Sequence, residues 1–225
     1  MTGYYSHSLY GKALKECYDI APPRVKQYLT AEIQHTTEHV RGCHLVLELG
    51  CGYGRVMKPV SHHVDTMVGI DTSLHSLKYG QPYLSEEDNC HMLAMDASRL
   101  GFRRDTFDAV LCVQNGISAF GVESTLLVRE SLRVTCPGGL LLYSSYSPRF
   151  WDHRLEWFHL QADHGLVGEI DESRTGNGVI VCKDGLHLTS VTESQFAKLF
   201  SSERTRVTTE EVDESSVFCC VEVLP

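Results

Sequence analysis

The chain has 225 residues and a formal net charge of -9, from 20 basic and 29 acidic side chains. This length fits one α/β domain over residues 1–225 better than two domains. The acidic balance argues against nucleic acid as the main partner, because such a partner requires a basic surface. No apolar run is long enough to cross a bilayer, so no membrane partner is expected. Residues 1–5 lack the basic and apolar stretches of a secretory leader, which predicts a cytoplasmic location.

The amino-terminal residues 1–41 are predicted to form a helical lid. Apolar residues recur at helical spacing from Leu9 onward, and Pro23 suits the first turn of a second helix. His35 and His39 share one face of that helix, where a solvated pair is expected rather than a zinc site. The nine cysteines show no C-x-x-C spacing and the histidines no H-E-x-x-H spacing, so reduced thiols and no metal are expected.

Strands and helices alternate beyond the lid. Helices are predicted over residues 54–61, 123–134 and 150–161, and a capping-box pattern opens a last helix over residues 192–200. The predicted strands are residues 44–49, 66–70, 91–95, 107–113, 140–146, 206–212 and 217–223. Such alternation predicts an α/β fold: a doubly wound, seven-stranded, mostly parallel, Rossmann-like sheet with helices on both faces.

Residues 165–191 interrupt this alternation of strands and helices. Asn177-Gly178 is a dipeptide typical of a two-residue hairpin turn, and Lys183-Asp184-Gly185 is a second turn signal. The segment is therefore predicted to be a small antiparallel, hairpin-like insertion, placed near the substrate site.

The turn from Glu48 to Gly54 follows the first predicted strand and reads E-x-G-x-G-x-G. Three glycines at alternate positions let backbone N–H groups approach a polar ligand closely. A dinucleotide fingerprint would place another glycine where Arg55 stands. Glu48 would repel a pyrophosphate, whereas it suits a ligand that carries a sulfonium or an amino group.

The next strand ends in Asp71, about twenty positions after Gly50. An acid at that place accepts hydrogen bonds from both hydroxyls of an adenosine ribose. The alternative is that Asp71 only caps the following helix together with Ser73. The preceding glycine turn favours the ribose role.

Residues 45–146 resemble the class I S-adenosylmethionine-dependent methyltransferases. Beyond the glycine turn and Asp71, the resemblance rests on Met95-Asp96-Ala97, on residues 107–110 and on Pro137-Gly138-Gly139. It implies that Asp96 binds the adenine amine beside Ala97. It also implies that the backbone at Gly50 and Cys51 faces the methionine portion of the cofactor.

The segment after the fourth strand contains Gln114 and Asn115 and is similar to the corresponding loop of glycine and sarcosine N-methyltransferases, which faces the sulfonium. The expected cofactor is S-adenosylmethionine, with S-adenosylhomocysteine as product and no metal. The expected cofactor-binding residues are Glu48, Gly50, Cys51, Gly52, Gly54, Asp71, Thr72, Ser73, Asp96, Ala97, Gln114 and Asn115.

Substrate-side residues are sought in the lid and after the fifth strand. The aromatic residues there either wall the pocket or form an ordinary core stripe, and the arginines suit a substrate carboxylate. His153 and Tyr10 are candidates for a catalytic base. The substrate-binding candidates are Tyr5, Tyr10, Tyr146, Arg149, Trp151, Arg154 and Trp157.

The function expected from these motifs is metal-free, in-line methyl transfer to a nitrogen, oxygen or sulfur atom of a small molecule. Such a displacement requires alignment of the nucleophile more than any single catalytic residue. Two alternatives stay open, namely a tRNA or protein methyltransferase and a non-enzymatic module that binds S-adenosylmethionine. A monomer or a homodimer is expected.

Overall fold

The computed structural model describes residues 4–225. Within that range the helices are α1 Tyr4–His7, α2 Gly11–Asp19, α3 Pro23–Val40, α4 Met57–Ser61, α5 Leu74–Tyr83, α6 Gly116–Ala119, α7 Ser124–Val134, α8 Trp151–Asp163 and α9 Glu193–Phe200. The strands are β1 Leu45–Leu49, β2 Thr66–Asp71, β3 Cys90–Ala94, β4 Phe107–Cys112, β5 Thr135–Tyr146, β6 Val179–Val181, β7 His187–Thr189, β8 Thr205–Val212 and β9 Ser216–Val223. A 3₁₀ turn, Pro148–Phe150, precedes α8.

The main sheet has seven strands in the order β3-β2-β1-β4-β5-β9-β8. Strands β1 to β5 are parallel, and β9 and β8 add an antiparallel edge. This confirms the predicted fold class. Because β1 pairs with both β2 and β4, the chain connections leave in opposite directions on its two sides. Such a reversal opens a crevice at the carboxyl ends of the strands.

Two apolar layers cover the sheet. On one face, α7 and α9 bury Leu127, Phe196 and Phe200 against the strands. On the other face, the buried side chains include Val40 at the end of α3 and Met57 in α4. Each helix therefore contributes one apolar stripe and leaves its opposite side to solvent.

Helix α4 begins later than predicted, at Met57 instead of residue 54. Gly52 and Gly54 have φ angles of +56° and +92°, which are left-handed and incompatible with a right-handed helix. The glycine turn therefore extends up to the start of α4.

Strand β5 begins earlier than predicted, because Thr135 already pairs with Phe107. The Pro137-Gly138-Gly139 segment is an irregularity within the strand and not a turn before it. A Cβ atom on Gly139 would lie 2.7 Å from the carbonyl oxygen of Asp108, so only glycine permits this close strand approach.

The insertion contains the two-stranded antiparallel sheet β6–β7, which confirms the predicted small antiparallel element. Asn177 and Gly178 have φ angles of +50° and +83°, and Gly176 and Val179 exchange two hydrogen bonds of 2.9 Å across them. A second turn, closed by Cys182 accepting from Gly185, connects β6 to β7. Both predicted turns are present.

No helix within residues 4–225 combines the length and the apolar character needed to span a lipid bilayer. All nine cysteines, from Cys17 to Cys220, are free thiols in the structure.

The predicted capping box opens α9. Thr192 accepts from the backbone N–H of Gln195, whose side chain accepts from the backbone N–H of Thr192. Thr192→Ala should lower the free energy of unfolding by about 1 kcal/mol, measured by urea denaturation. Thr30→Ala, at an exposed position inside α3, should cause no loss because alanine favours helix interiors. Equal losses in the two variants would contradict the capping role.

Candidate functional site

One cavity opens at the carboxyl ends of the parallel strands. Its walls come from the glycine turn after β1, the end of β2, and the loops after β3 and β4. The amino-terminal helices and the insertion form the opposite wall. The space, counted out to its open mouth, is about 1410 Å³.

The glycine turn docks on the end of β2. The backbone N–H groups of Gly50 and Cys51 both donate to the carbonyl oxygen of Ile70, at 2.8 and 2.9 Å. Gly50 has a φ of +73°, and a Cβ atom there would lie 2.5 Å from the Phe120 ring. Glycine at position 50 is therefore required both by the backbone conformation and by the close ring.

Glu48 lies in β1 just before this turn, and its side chain is buried. Its Oε2 atom has no hydrogen-bond partner within the described residues. Burial raises the pKa of Glu48 to about 8, with the charges of Asp71 and Glu32 adding to the effect and Arg55 opposing it. The cavity wall therefore contains a carboxyl group with an unused acceptor.

Asp71 holds the turn and the next helix together. Its Oδ2 accepts from the N–H of Gly52 at 2.9 Å, and its Oδ1 accepts from the N–H of Ser73 at 2.7 Å. Burial raises the pKa of Asp71, while these backbone N–H groups oppose the shift. Ser73 caps α5 by accepting from Ser76. The helix capping by Asp71 and Ser73, which was the alternative considered from the sequence, is therefore present. Asp71 and Thr72 also line the cavity.

Asp96 and Ala97 follow β3 and line the same cavity. The Oδ1 atom of Asp96 accepts from the backbone N–H and the hydroxyl of Ser98, at 2.8 and 2.7 Å. These bonds orient an otherwise exposed carboxylate at the cavity mouth.

Gln114 and Asn115 follow β4 with left-handed φ angles of +54° and +58°. Both line the cavity, but the side chain of Asn115 is already engaged. Its Nδ2 donates to the carbonyl oxygen of Thr189 at 2.9 Å, and its Oδ1 accepts from Ser145 at 2.8 Å. The asparagine side chain therefore braces the insertion against β5, and its backbone N–H donates to the carbonyl oxygen of Ser144 at 3.1 Å.

A buried polar network forms the floor of the cavity beside the glycine turn. It was not predicted from the sequence. The Arg55 guanidinium donates to Gln114 at 2.5 Å, lies 3.8 Å from Glu32 and stacks over Tyr18 at 4.7 Å. Glu32 accepts from the backbone N–H of Gln114 and from Ser144, at 2.9 and 2.6 Å. Sequence analysis treated Arg55 only as the absence of a glycine. The one sequence feature that could have predicted this network is the acidic residue Glu32 on the apolar face of α3.

Tyr5, Tyr146 and Trp157 line the substrate side of the cavity. Arg154 lies directly behind Tyr146, with its guanidinium 4.3 Å from the ring centre, and it is almost fully buried. Its Nη1 donates to the carbonyl oxygen of Gly178 at 2.9 Å, whereas Nε and Nη2 have no hydrogen-bond partner within the described residues. Burial lowers the pKa of Arg154. The guanidinium thus has two unused donors.

Three of the predicted substrate residues, Arg149, Trp151 and Arg154, are not among the described residues that line the cavity, and neither is the candidate base His153. Arg149 is exposed and pairs with Glu211 and Glu214, and His153 is exposed near Glu156. Trp151 packs against an apolar cluster that joins the insertion to the amino-terminal helices. Within α8, helical periodicity buries residues 154, 157, 158 and 161 and leaves His153 exposed.

Tyr10 also lies outside the described cavity wall. It precedes α2 and stacks on His75, with ring centres 4.8 Å apart. Neither candidate for a catalytic base, Tyr10 or His153, is therefore placed to touch a molecule in the cavity.

Residues 46–139 match a family model described as a methyltransferase domain. A curated relative, the demethylmenaquinone methyltransferase of Paenarthrobacter aurescens (strain TC1), is 34% identical over 106 residues, which cover 45% of this chain. The match spans only 38% of the length of that relative.

Solved structures share the fold over nearly the whole chain. The PH0226 protein from Pyrococcus horikoshii OT3 has a TM-score of 0.73 at 20% identity, with 98% of each chain covered. The N-methyltransferase NodS from Bradyrhizobium japonicum WM9, in complex with S-adenosyl-L-homocysteine, has a TM-score of 0.61 at 14% identity, covering 96% of this chain and 98% of its own.

The raised pKa of Glu48 predicts a pH-dependent stability difference. Between the ordinary pKa of 4.5 and about 8, the unfolded chain releases this proton while the folded chain keeps it. The wild type should therefore lose stability relative to Glu48→Gln as pH rises through this window, on the order of 1 kcal/mol per pH unit, with no further loss above it. Urea denaturation across the window measures the difference. Parallel stability curves for the two proteins would contradict a buried, protonated Glu48.

Proposed function

We propose that this chain, which matches a methyltransferase-domain model over residues 46–139, is a class I S-adenosylmethionine-dependent methyltransferase that methylates a nitrogen, oxygen or sulfur atom of a small molecule. The observation that carries this proposal is the grouping of the glycine turn, Glu48, Asp71 and Asp96 on one cavity wall. All of them come from the carboxyl ends of neighbouring parallel strands, where α/β folds bind ligands.

The wall residues fit S-adenosylmethionine. The turn at residues 50–54 has no side chain at its glycines, and Glu48 Oε2 is a buried acceptor without a partner. Asp71 would bind the ribose hydroxyls, and Asp96 with the backbone of Ala97 would bind adenine. The backbone at Gly50, together with Cys51 and Glu48, would lie beside the methionine portion. When bound, the cofactor supplies a methyl group made electrophilic by positive sulfur.

The lid and the insertion would close the substrate side. Tyr4 in α1 donates a hydrogen bond to Asp184 in the turn of the insertion. Tyr5, Leu9 and Leu188 line the cavity from these two segments. Apolar contacts of this kind exclude water and hold the acceptor in line with the methyl group, which supports transfer without a metal. We accordingly propose residues 1–41 as a lid, of which the first three lie outside the described residues.

The proposed chemical class of the acceptor is based on Arg154, which lies behind the cavity wall at Tyr146 and does not itself line the cavity. A buried guanidinium without an acidic partner is costly, and a planar anion can accept from two of its donors at once. The neighbouring wall is aromatic and includes Tyr146, Trp157 and Phe158. The proposed acceptor is therefore a small molecule with an apolar body and a carboxylate. The curated relative is named for demethylmenaquinone, which supports a small-molecule acceptor but covers the chain only in part.

Asp71 and Asp65 provide a matched test of cofactor binding, because they flank the two ends of β2. Asp71→Asn should weaken S-adenosylmethionine binding at least about tenfold in a calorimetric titration, since it loses a charged acceptor for the ribose. Asp65→Asn, which is exposed at the opposite end of the strand, should bind as the wild type does. Equal affinities, or no binding by the wild type, would refute the proposed cofactor site.

Arg154 and Arg149 provide a second matched pair on the same segment. Arg154→Lys keeps the charge but loses the planar pair of donors, so the KM for a carboxylate-bearing acceptor should rise at least about tenfold. Its affinity for S-adenosylmethionine should stay unchanged, which shows that the variant is folded. Arg149→Lys should leave both constants as they are. An unchanged KM in Arg154→Lys would remove the carboxylate from the proposal and leave methyl transfer intact.

A further inference from the structure

Four side chains of metal-ligating type meet on the face of the sheet covered by α3. His35 and His39 lie one turn apart on α3, Glu210 lies in β8 and Cys220 in β9. One ligand atom from each lies within 4.8 Å of all the others. Among the described residues, none of the four lines the cavity at the strand ends. The cluster is therefore separate from the proposed methyl-transfer site.

The distances suit a small tetrahedral ion. Glu210 Oε1 lies 3.2 Å from His35 Nε2 and 3.7 Å from His39 Nε2. The Sγ atom of Cys220 lies 3.9 Å from the same oxygen. Zinc bonds of about 2.0–2.3 Å in tetrahedral geometry place neighbouring ligand atoms about 3.3–3.7 Å apart. Only small side-chain movements are needed to bring all four ligands onto one ion.

The imidazole rings of His35 and His39 each have an Nε2 atom available for a metal ion, for different structural reasons. His35 Nε2 is buried and has no aligned hydrogen-bond partner within the described residues, although Glu210 is close. His39 Nδ1 lies 3.0 Å from the carbonyl oxygen of His35. A proton on Nδ1 would donate there and leave the Nε2 lone pair free, which is the usual arrangement of a metal-bound histidine. The ring of His35 also packs on Phe218, with centres 4.3 Å apart, which limits its rotation.

We propose that His35, His39, Glu210 and Cys220 form a zinc(II) site that ties α3 to the terminal β8–β9 hairpin. Two neutral imidazoles, one carboxylate and one thiolate balance the charge of the ion, and nitrogen and sulfur ligands favour zinc over magnesium or calcium. Binding forms a zinc–sulfur bond and releases the thiol proton of Cys220 to water, without electron transfer. This differs from the solvated histidine pair expected from the sequence, because the His35 side chain is only 11% exposed.

Cobalt(II) is the probe for this site, since a tetrahedral cobalt–thiolate complex absorbs strongly in the visible and near-ultraviolet ranges. The full chain is stripped with a chelator, kept reduced and titrated with cobalt(II), and zinc(II) is then added as competitor. The test variants are His39→Ala, at a partly exposed ligand, and the conservative Cys220→Ser. The matched controls are His62→Ala and Cys43→Ser, which lie outside the cluster.

The wild type and both controls should bind one cobalt ion with tetrahedral absorption bands that zinc removes. His39→Ala should weaken binding at least about tenfold, and Cys220→Ser should also lose the thiolate charge-transfer band. Circular dichroism and S-adenosylmethionine affinity, measured in parallel, verify that each variant is folded. The site is overturned if folded wild type binds no cobalt, shows an octahedral spectrum, or binds no more tightly than the two cluster variants.

Discussion

The left-handed backbone at Gly50, Gly52 and Gly54 is the constraint on which the rest of the site depends. Residues other than glycine rarely adopt this backbone conformation. The carbonyl oxygen of Ile70 and the carboxylate of Asp71 hold the turn from the neighbouring strand. The turn delays the start of α4 and lies at the carboxyl end of β1, beside the point where the chain connections leave in opposite directions. The proposed cofactor position follows from that placement.

The two buried arginines, Arg55 and Arg154, have different surroundings. Arg55 lies 3.8 Å from the carboxylate of Glu32 and donates to Gln114, so this pair fixes the loop after β4 against α3. Within residues 4–225, Arg154 donates a hydrogen bond to the backbone carbonyl of Gly178, and its Nε and Nη2 atoms have no hydrogen-bond partner, which is why we propose it as the cation for an acceptor carboxylate. Helix α3 carries Glu32 beside the cavity and His35 one turn later in the proposed zinc cluster. An ion there would restrain the same helix that positions the polar floor.

Local sequence was sufficient to predict most of the architecture and the residues that form the strand-end wall of the cavity, namely the glycine turn, Asp71 and Asp96. The strands, the capping box at Thr192 and the strand-end acids depend on short patterns and on one topological rule. The contact between Glu32 and Arg55 depends on how α3 packs against the turn, which no local pattern encodes. The separation of buried Arg154 from exposed Arg149 depends on how α8 and the 3₁₀ turn before it pack against the rest of the chain. Secondary-structure propensity does not determine how a helix packs against the rest of the chain, so the residues predicted on the substrate side agree less well with the cavity lining.

The most direct test of small-molecule methyl transfer uses S-adenosylmethionine labelled with tritium in its methyl group. The protein is incubated with cell extract separated into small-molecule, RNA and protein fractions, and the label in each is counted. We predict that label enters the small-molecule fraction, in a compound retained by an anion exchanger at neutral pH. Label confined to RNA or protein, or no transfer by a chain that binds the cofactor, would contradict the proposal.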